Sequence, residues 1–293
     1  MKGRSLVARN GSALLVLALA LGCARESAES ASSGESGSDP APSRSEEAAT
    51  RDSVPAAILG EGPPPRGEPV HYFPADSGTS GYLVTPEGEG PFPAVILIHE
   101  WNGLNDRVRQ VADAFADQGY VALAADLYSG RIGSTPEENR ALTREVREDL
   151  PTVIANLDAA AAFLRSREDV TGKVATMGWC FGGGIALSYA LGGEHHDGTA
   201  IFYGSLVTDP VTLAAIDHPI YGTFAGEDDG IPPEEVERFV AALHDAGIPA
   251  DVHIYDSVEH GFWLWVDRDP ETNLEPAADA WRRLLAYLER TIG

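Results

Sequence analysis

Residues 173–184 read Lys173-Val-Ala-Thr-Met-Gly178-Trp179-Cys180-Phe181-Gly182-Gly183-Gly184, and this stretch decides the fold. Residues 173–177 form a short apolar run suited to a buried strand, and residues 183–191 have the pattern of a helix. Between them a cysteine sits in a turn crowded with glycines. Glycines are needed there because the central residue must take a strained conformation while strand and helix pass close by. A strand, a nucleophile and a helix joined this tightly form a nucleophile elbow, here with cysteine where serine is commoner. The turn also puts Cys180 at a helix N-terminus, where the dipole favours a thiolate and peptide N–H groups can meet an oxyanion. The competing reading of the motif alone is a glycine-rich turn holding a small buried hydrophobe.

The periodicity on either side of the elbow alternates. Strands are expected at 70–73, 82–85, 92–98, 120–124, 199–203, 220–225 and 251–255. Helices are expected at 106–118, 136–149, 153–165, 233–246 and 277–290. The first two strands read as an antiparallel pair. Later strands separated by helices imply right-handed crossovers, hence an α/β fold with a mostly parallel sheet covered by helices on both faces. In such sheets chemistry gathers at the carboxyl ends of the strands.

Two such ends supply partners for Cys180. The loop Gly226-Glu227-Asp228-Asp229-Gly230 brings carboxylates after the strand at 220–225, and Glu259-His260-Gly261-Phe262 follows the strand at 251–255. An acid and then a histidine after the nucleophile is the chain order of the α/β-hydrolase fold. The histidine would take the thiol proton, and a carboxylate would hold its tautomer.

With these motifs in view, residues 70–293 resemble the dienelactone hydrolase family. The resemblance is carried by Ile98-His-Glu100-Trp101-Asn-Gly103, Asp126-Leu-Tyr128, Gly178-Trp-Cys180-Phe181-Gly182-Gly183, Ala225-Gly-Glu-Asp228 and Glu259-His260-Gly-Phe262. It implies Cys180 as nucleophile, Asp228 as orienting acid and His260 as base. It further implies that Glu100 helps to draw off the thiol proton, and that the backbone N–H groups of Trp101 and Phe181 form the oxyanion hole. Tyr128 and Arg131 fall in its substrate-binding region. The family's second substrate arginine, shortly after the histidine, has no counterpart before Arg268. Gly261-Phe-Trp263-Leu-Trp265 stands there instead, so Trp263 is expected in an apolar wall suited to a neutral or hydrophobic ester or lactone. No cofactor is implied. His195-His196 reads as part of a solvated loop and not as a metal site, and His99 as structural.

The remainder of the chain reads differently. Residues 1–23 combine Lys2, Arg4 and Arg9 with an apolar run at 13–21 too short to span a bilayer, and end in Ala20-Leu-Gly-Cys23. This is a secretory signal of lipoprotein type, with Cys23 as the expected lipid attachment and the cell envelope or periplasm as destination. Residues 24–69, rich in Ser, Glu and Pro, read as a flexible, disordered linker. The formal charge of −24, borne mainly by residues 70–293, argues against nucleic acid or an anionic lipid surface as partner. Membrane contact is therefore expected only through the anchor. The expected activity is ester or lactone hydrolysis through a Cys-His-Asp triad and a thioester. The alternatives are an acyltransferase or cysteine peptidase on the same scaffold, or a silent protein that binds hydrophobic ligands.

Overall fold

Continuous apolar runs too short for helices assemble into a single sheet. In the computed structural model, which describes residues 51–293, the strands are β1 (Glu68–Val70), β2 (Gly81–Val84), β3 (Phe92–Ile98), β4 (Val121–Ala125), β5 (Val170–Trp179), β6 (Gly198–Phe202), β7 (Ile220–Ala225) and β8 (Ala250–Tyr255). Their spatial order is β1-β2-β4-β3-β5-β6-β7-β8. β1 pairs antiparallel with β2, and β2 with β4, while the pairings from β4 to β8 are parallel. The expected signal segment, Cys23 and the linker up to residue 50 lie outside the described residues.

The helices are α1 (Asp106–Asp117), α2 (Pro136–Glu148), α3 (Leu150–Arg165), α4 (Phe181–Gly192), the short α5 (Pro210–Leu213), α6 (Pro233–Asp245) and α7 (Pro270–Ile292). The sheet's alternating side chains feed separate cores. On one face Val95 and Leu97 join Val108, Phe115 and Trp281. On the other Ile96 and Ile98 join Leu157, Leu164 and Ile185. Burying both faces explains why the central strands read as unbroken hydrophobic runs.

Two boundaries differ from expectation. α7 begins seven residues before position 277 and runs through Pro276, because Asp269 caps it at Thr272 N–H and Leu274, Ala277 and Ala278 are buried. The linker also ends earlier than residue 69. Val54, Ala57, Ile58 and Leu59 are buried in the same cluster as Val108 and Trp281. Arg107 donates to the Ala57 carbonyl at 2.6 Å, and the Val266 N–H donates to the Ile58 carbonyl at 3.1 Å. An apolar island this short shows no periodicity, yet it offsets its ordering entropy once a groove exists to receive it.

Candidate active site

The end of β5 builds the centre of the site. Cys180 is half-buried at φ 57° and ψ −116°, a conformation costly for a side-chain-bearing residue. Its neighbours accept this geometry because they lack Cβ atoms. A Cβ on Gly178 would lie 2.2 Å from the Gly182 carbonyl oxygen, and one on Gly182 would lie 2.3 Å from that of Ile98. The second approach presses the elbow against the end of β3, where Glu100 and Trp101 begin the next loop.

That loop is held from behind. His99 is buried; its Nδ1–H donates to the Glu100 carbonyl at 2.7 Å, and its Nε2 accepts the Leu127 N–H at 3.3 Å. Those two bonds assign the tautomer, and burial pulls the imidazole below its ordinary pKa and keeps it neutral. The Tyr128 hydroxyl donates to the Trp101 carbonyl at 3.0 Å, with its ring 4.5 Å from His99 and 5.9 Å from Phe181. The N–H groups of Trp101 and Phe181 make no hydrogen bond among the described residues.

The ends of β7 and β8 supply an acid–imidazole pair. Asp228 Oδ1 accepts the N–H groups of Gly230 and Ile231 at 2.9 and 3.2 Å, while Oδ2 accepts His260 Nδ1–H at 2.6 Å. Burial alone would raise the carboxyl's pKa. The His260 bond and charge, with the two N–H groups, bring it below the usual range. Burial likewise disfavours the His260 imidazolium, but the hydrogen bond to Asp228 and the nearby Cys180 sulfur raise its pKa to about 10. Cys180, His260 and Asp228 thus converge in a chain of three, with a hydrogen bond between the last two.

Glu100 is buried beside this chain. Burial holds its carboxyl above the ordinary range, only partly offset by the Trp265 indole N–H and by the charges of Arg268, His260 and Arg107. Its Oε2 accepts Trp265 Nε1–H at 2.7 Å.

The substrate-side expectations need correction. Trp263 is wholly buried, stacked on Trp179 at 5.7 Å and 5.0 Å from Phe202. Phe262 and Leu264 are buried with it, so most of the apolar run after His260 packs the core. A cavity of about 330 Å³ beside His260 is lined by Phe262 and Trp265 from that run together with polar groups that include Glu227, Glu259, Arg268 and Asn273. Tyr128 is fully buried behind the Trp101 loop, which makes it a support for that loop. Arg131 forks onto both oxygens of Glu145 at 2.9 and 2.7 Å and donates to the Tyr128 carbonyl, so three of its five N–H groups are engaged. His195 is exposed and paired with Asp217, but His196 is buried against Tyr189, Thr199 and His218 and is no solvated loop residue.

At the site the sequence reading missed Tyr203 altogether and, for Trp265, the bond to Glu100. Tyr203, at φ 37° just beyond β6, packs its buried ring 5.0 Å from His260, and its hydroxyl is acted on by Glu100 and Cys180. Its position at the carboxyl end of the strand after the elbow was the available signal. Trp265 gave none, because its partner Glu100 lies 165 residues earlier.

A doubly covered, mostly parallel sheet, a strained strand-to-helix turn and a histidine–aspartate pair at the strand ends define the α/β-hydrolase class. The chain belongs to the dienelactone hydrolase family, whose description matches residues 79–292. It is 33% identical over 223 residues to a Methylorubrum extorquens protein named "Putative carboxymethylenebutenolidase", covering 71% of this chain and 76% of that one. A protein of the same name from Saccharolobus solfataricus is 30% identical over 247 residues, covering 71% and 93%. Among solved structures, the "Putative Dienelactone Hydrolase" of Klebsiella pneumoniae superposes with a TM-score of 0.63 at 27% identity, covering 72% of this chain and 93% of that one.

Proposed function

We propose that this hydrolase cleaves a small ester or lactone through a covalent thioester on Cys180. The observation that carries this reading is the convergence of Cys180, His260 and Asp228 at the ends of β5, β8 and β7, with His260 bonded to Asp228 and close to the Cys180 sulfur. The sulfur attacks the substrate carbonyl, and the oxyanion forms where the N–H groups of Phe181 and Trp101 point, each worth about 3–4 kcal/mol to such a transition state. The His260 imidazolium, held by Asp228, gives its proton to the leaving alkoxide. Neutral His260 then takes a proton from water as the water attacks the thioester, and collapse returns the thiolate, the imidazolium and the free acid. Glu100 assists activation of the sulfur: its carboxylate takes the thiol proton before the attack and returns it to the thiolate after the collapse.

The acidity of the domain supports a substrate without strong negative charge. Export and lipidation at Cys23 belong to the same reading and rest on the signal-like composition of residues 1–23. Intact-mass spectrometry after mixing with a small activated ester tests the chemistry: an acyl adduct on Cys180, absent from Cys180→Ala along with turnover, is expected. Undiminished hydrolysis by Cys180→Ala would overturn it.

A further inference from the structure

Among the described residues, the buried carboxyl group of Glu100 has one side-chain hydrogen bond, from Trp265 Nε1–H at 2.7 Å, and none with the Cys180 sulfur. Trp265 is itself fixed from several directions. The guanidinium carbons of Arg107 and Arg268 each lie 4.5 Å from its ring, close enough for cation–π attraction. Arg107 ties the surrounding chain together, donating to the carbonyls of Ala57 and Leu264 and to the Asp267 carboxylate. The next residue, Val266, donates its N–H to the Ile58 carbonyl. The indole is therefore clamped in place by a segment that precedes the residues matched to the family and by the first turn of α1.

We propose that Trp265 is a positioning residue for the hydrolysis: it holds Glu100 as a carboxylate at the edge of the site, and the segment at 54–60 keeps Trp265 there. The proposal rests on the part assigned to Glu100 in thiol activation. A carboxyl group inside the protein tends to take up a proton, and a protonated Glu100 could not act as a base. The groups facing it are Arg107 from α1, Arg268, His260 and Trp265 from the chain after β8, and the Tyr203 hydroxyl after β6. The cations and the indole N–H favour the carboxylate. Of these only the indole N–H is a short directed bond, and charge-assisted bonds of this kind are the stronger ones.

Trp265→Phe keeps an aromatic ring between the arginines and removes the N–H. The acid limb of the kcat/KM pH profile is expected to move up by about one pH unit, since Glu100 would then hold its proton to higher pH. In an E100Q background the same substitution is expected to leave the limb where E100Q alone puts it. An unmoved limb, or an equal shift with and without Glu100, would overturn the proposal.

The indole N–H resonance of Trp265 in the wild-type enzyme gives a reading that does not depend on the variant folding. It should titrate with the acid limb and lose that titration in E100Q; a resonance indifferent to E100Q would equally overturn the assignment. E100Q with wild-type kinetics would count against the role of Glu100 in activation, while the indole titration would still report whether Trp265 holds the carboxylate.

Discussion

Asp228 Oδ2 stands 2.6 Å from His260 Nδ1 while the other oxygen of the same carboxylate is held by two backbone N–H groups. The turn after β7 therefore fixes the acid, and the acid fixes the imidazole. Asp228→Asn keeps the shape but removes the charge and presents a donor where an acceptor is needed. By analogy with other acid–imidazole pairs, ester turnover should fall by about 10²–10⁴-fold with little change in KM. Steady-state kinetics on a p-nitrophenyl ester measure it, and a loss below tenfold would contradict the role.

The same pair predicts a pH dependence of stability. His260 titrates higher in the folded chain than its ordinary 6.5, so its contribution is full below 6.5 and fades as pH rises through about 10. Asp228 titrates lower than its ordinary 3.8, so its contribution is full above 3.8 and fades as pH falls. The Tm difference between wild type and His260→Gln should thus be greatest between about pH 4 and 6.5, shrinking towards pH 10 and towards pH 2. Thermal melts across that range check it; a difference that grew towards pH 10 would show the sign to be wrong.

Gly182→Ala should damage stability and catalysis together. The added Cβ would meet the Ile98 carbonyl oxygen at 2.3 Å, and both partners are backbone. Relief requires the elbow and the end of β3 to part, at about 1–3 kcal/mol, which also displaces the Phe181 N–H. A lowered Tm with kcat reduced at least tenfold is expected, and wild-type kinetics would refute the close approach.

Trp263 separates a packing role from a binding one. Because the ring is wholly buried between Trp179 and Phe202, Trp263→Ala should cost about 3–5 kcal/mol, read by urea denaturation. The milder Trp263→Phe should lower stability without moving KM for esters of different acyl chain. A KM that tracks acyl length in the variant would return Trp263 to the substrate pocket.

Ile58 tests where the folded body begins. It is wholly buried, so Ile58→Ala should cost about 2–5 kcal/mol, whereas substitutions in a free linker cost almost nothing. Chemical denaturation distinguishes the two directly.

Most of the site was legible because its chemistry is written in local patterns. Gly178 to Gly184 announces a strained turn of the kind a nucleophile elbow needs, and Asp228 and His260 each follow an apolar run within a few residues. Chain order then joined the three. Trp263 misled because an aromatic residue after a catalytic histidine fits a pocket wall as well as a core, and nothing local shows which way its side chain turns. Arg131 hid its partner for a related reason: Glu145 lies 14 residues away on another element.

The sequence by itself determined the strand–helix alternation and the elbow, because periodicity and glycine placement act over a few residues, while the choice of Asp228 within its acidic loop came from the family resemblance. Only the tertiary structure decided what Glu100 bonds to, which aromatic residues line the site, and that residues 54–59 belong to the folded body. Those outcomes depend on surfaces made by elements far apart in the chain. A buried carboxyl or a short apolar island takes its partner from whichever surface the fold brings to it.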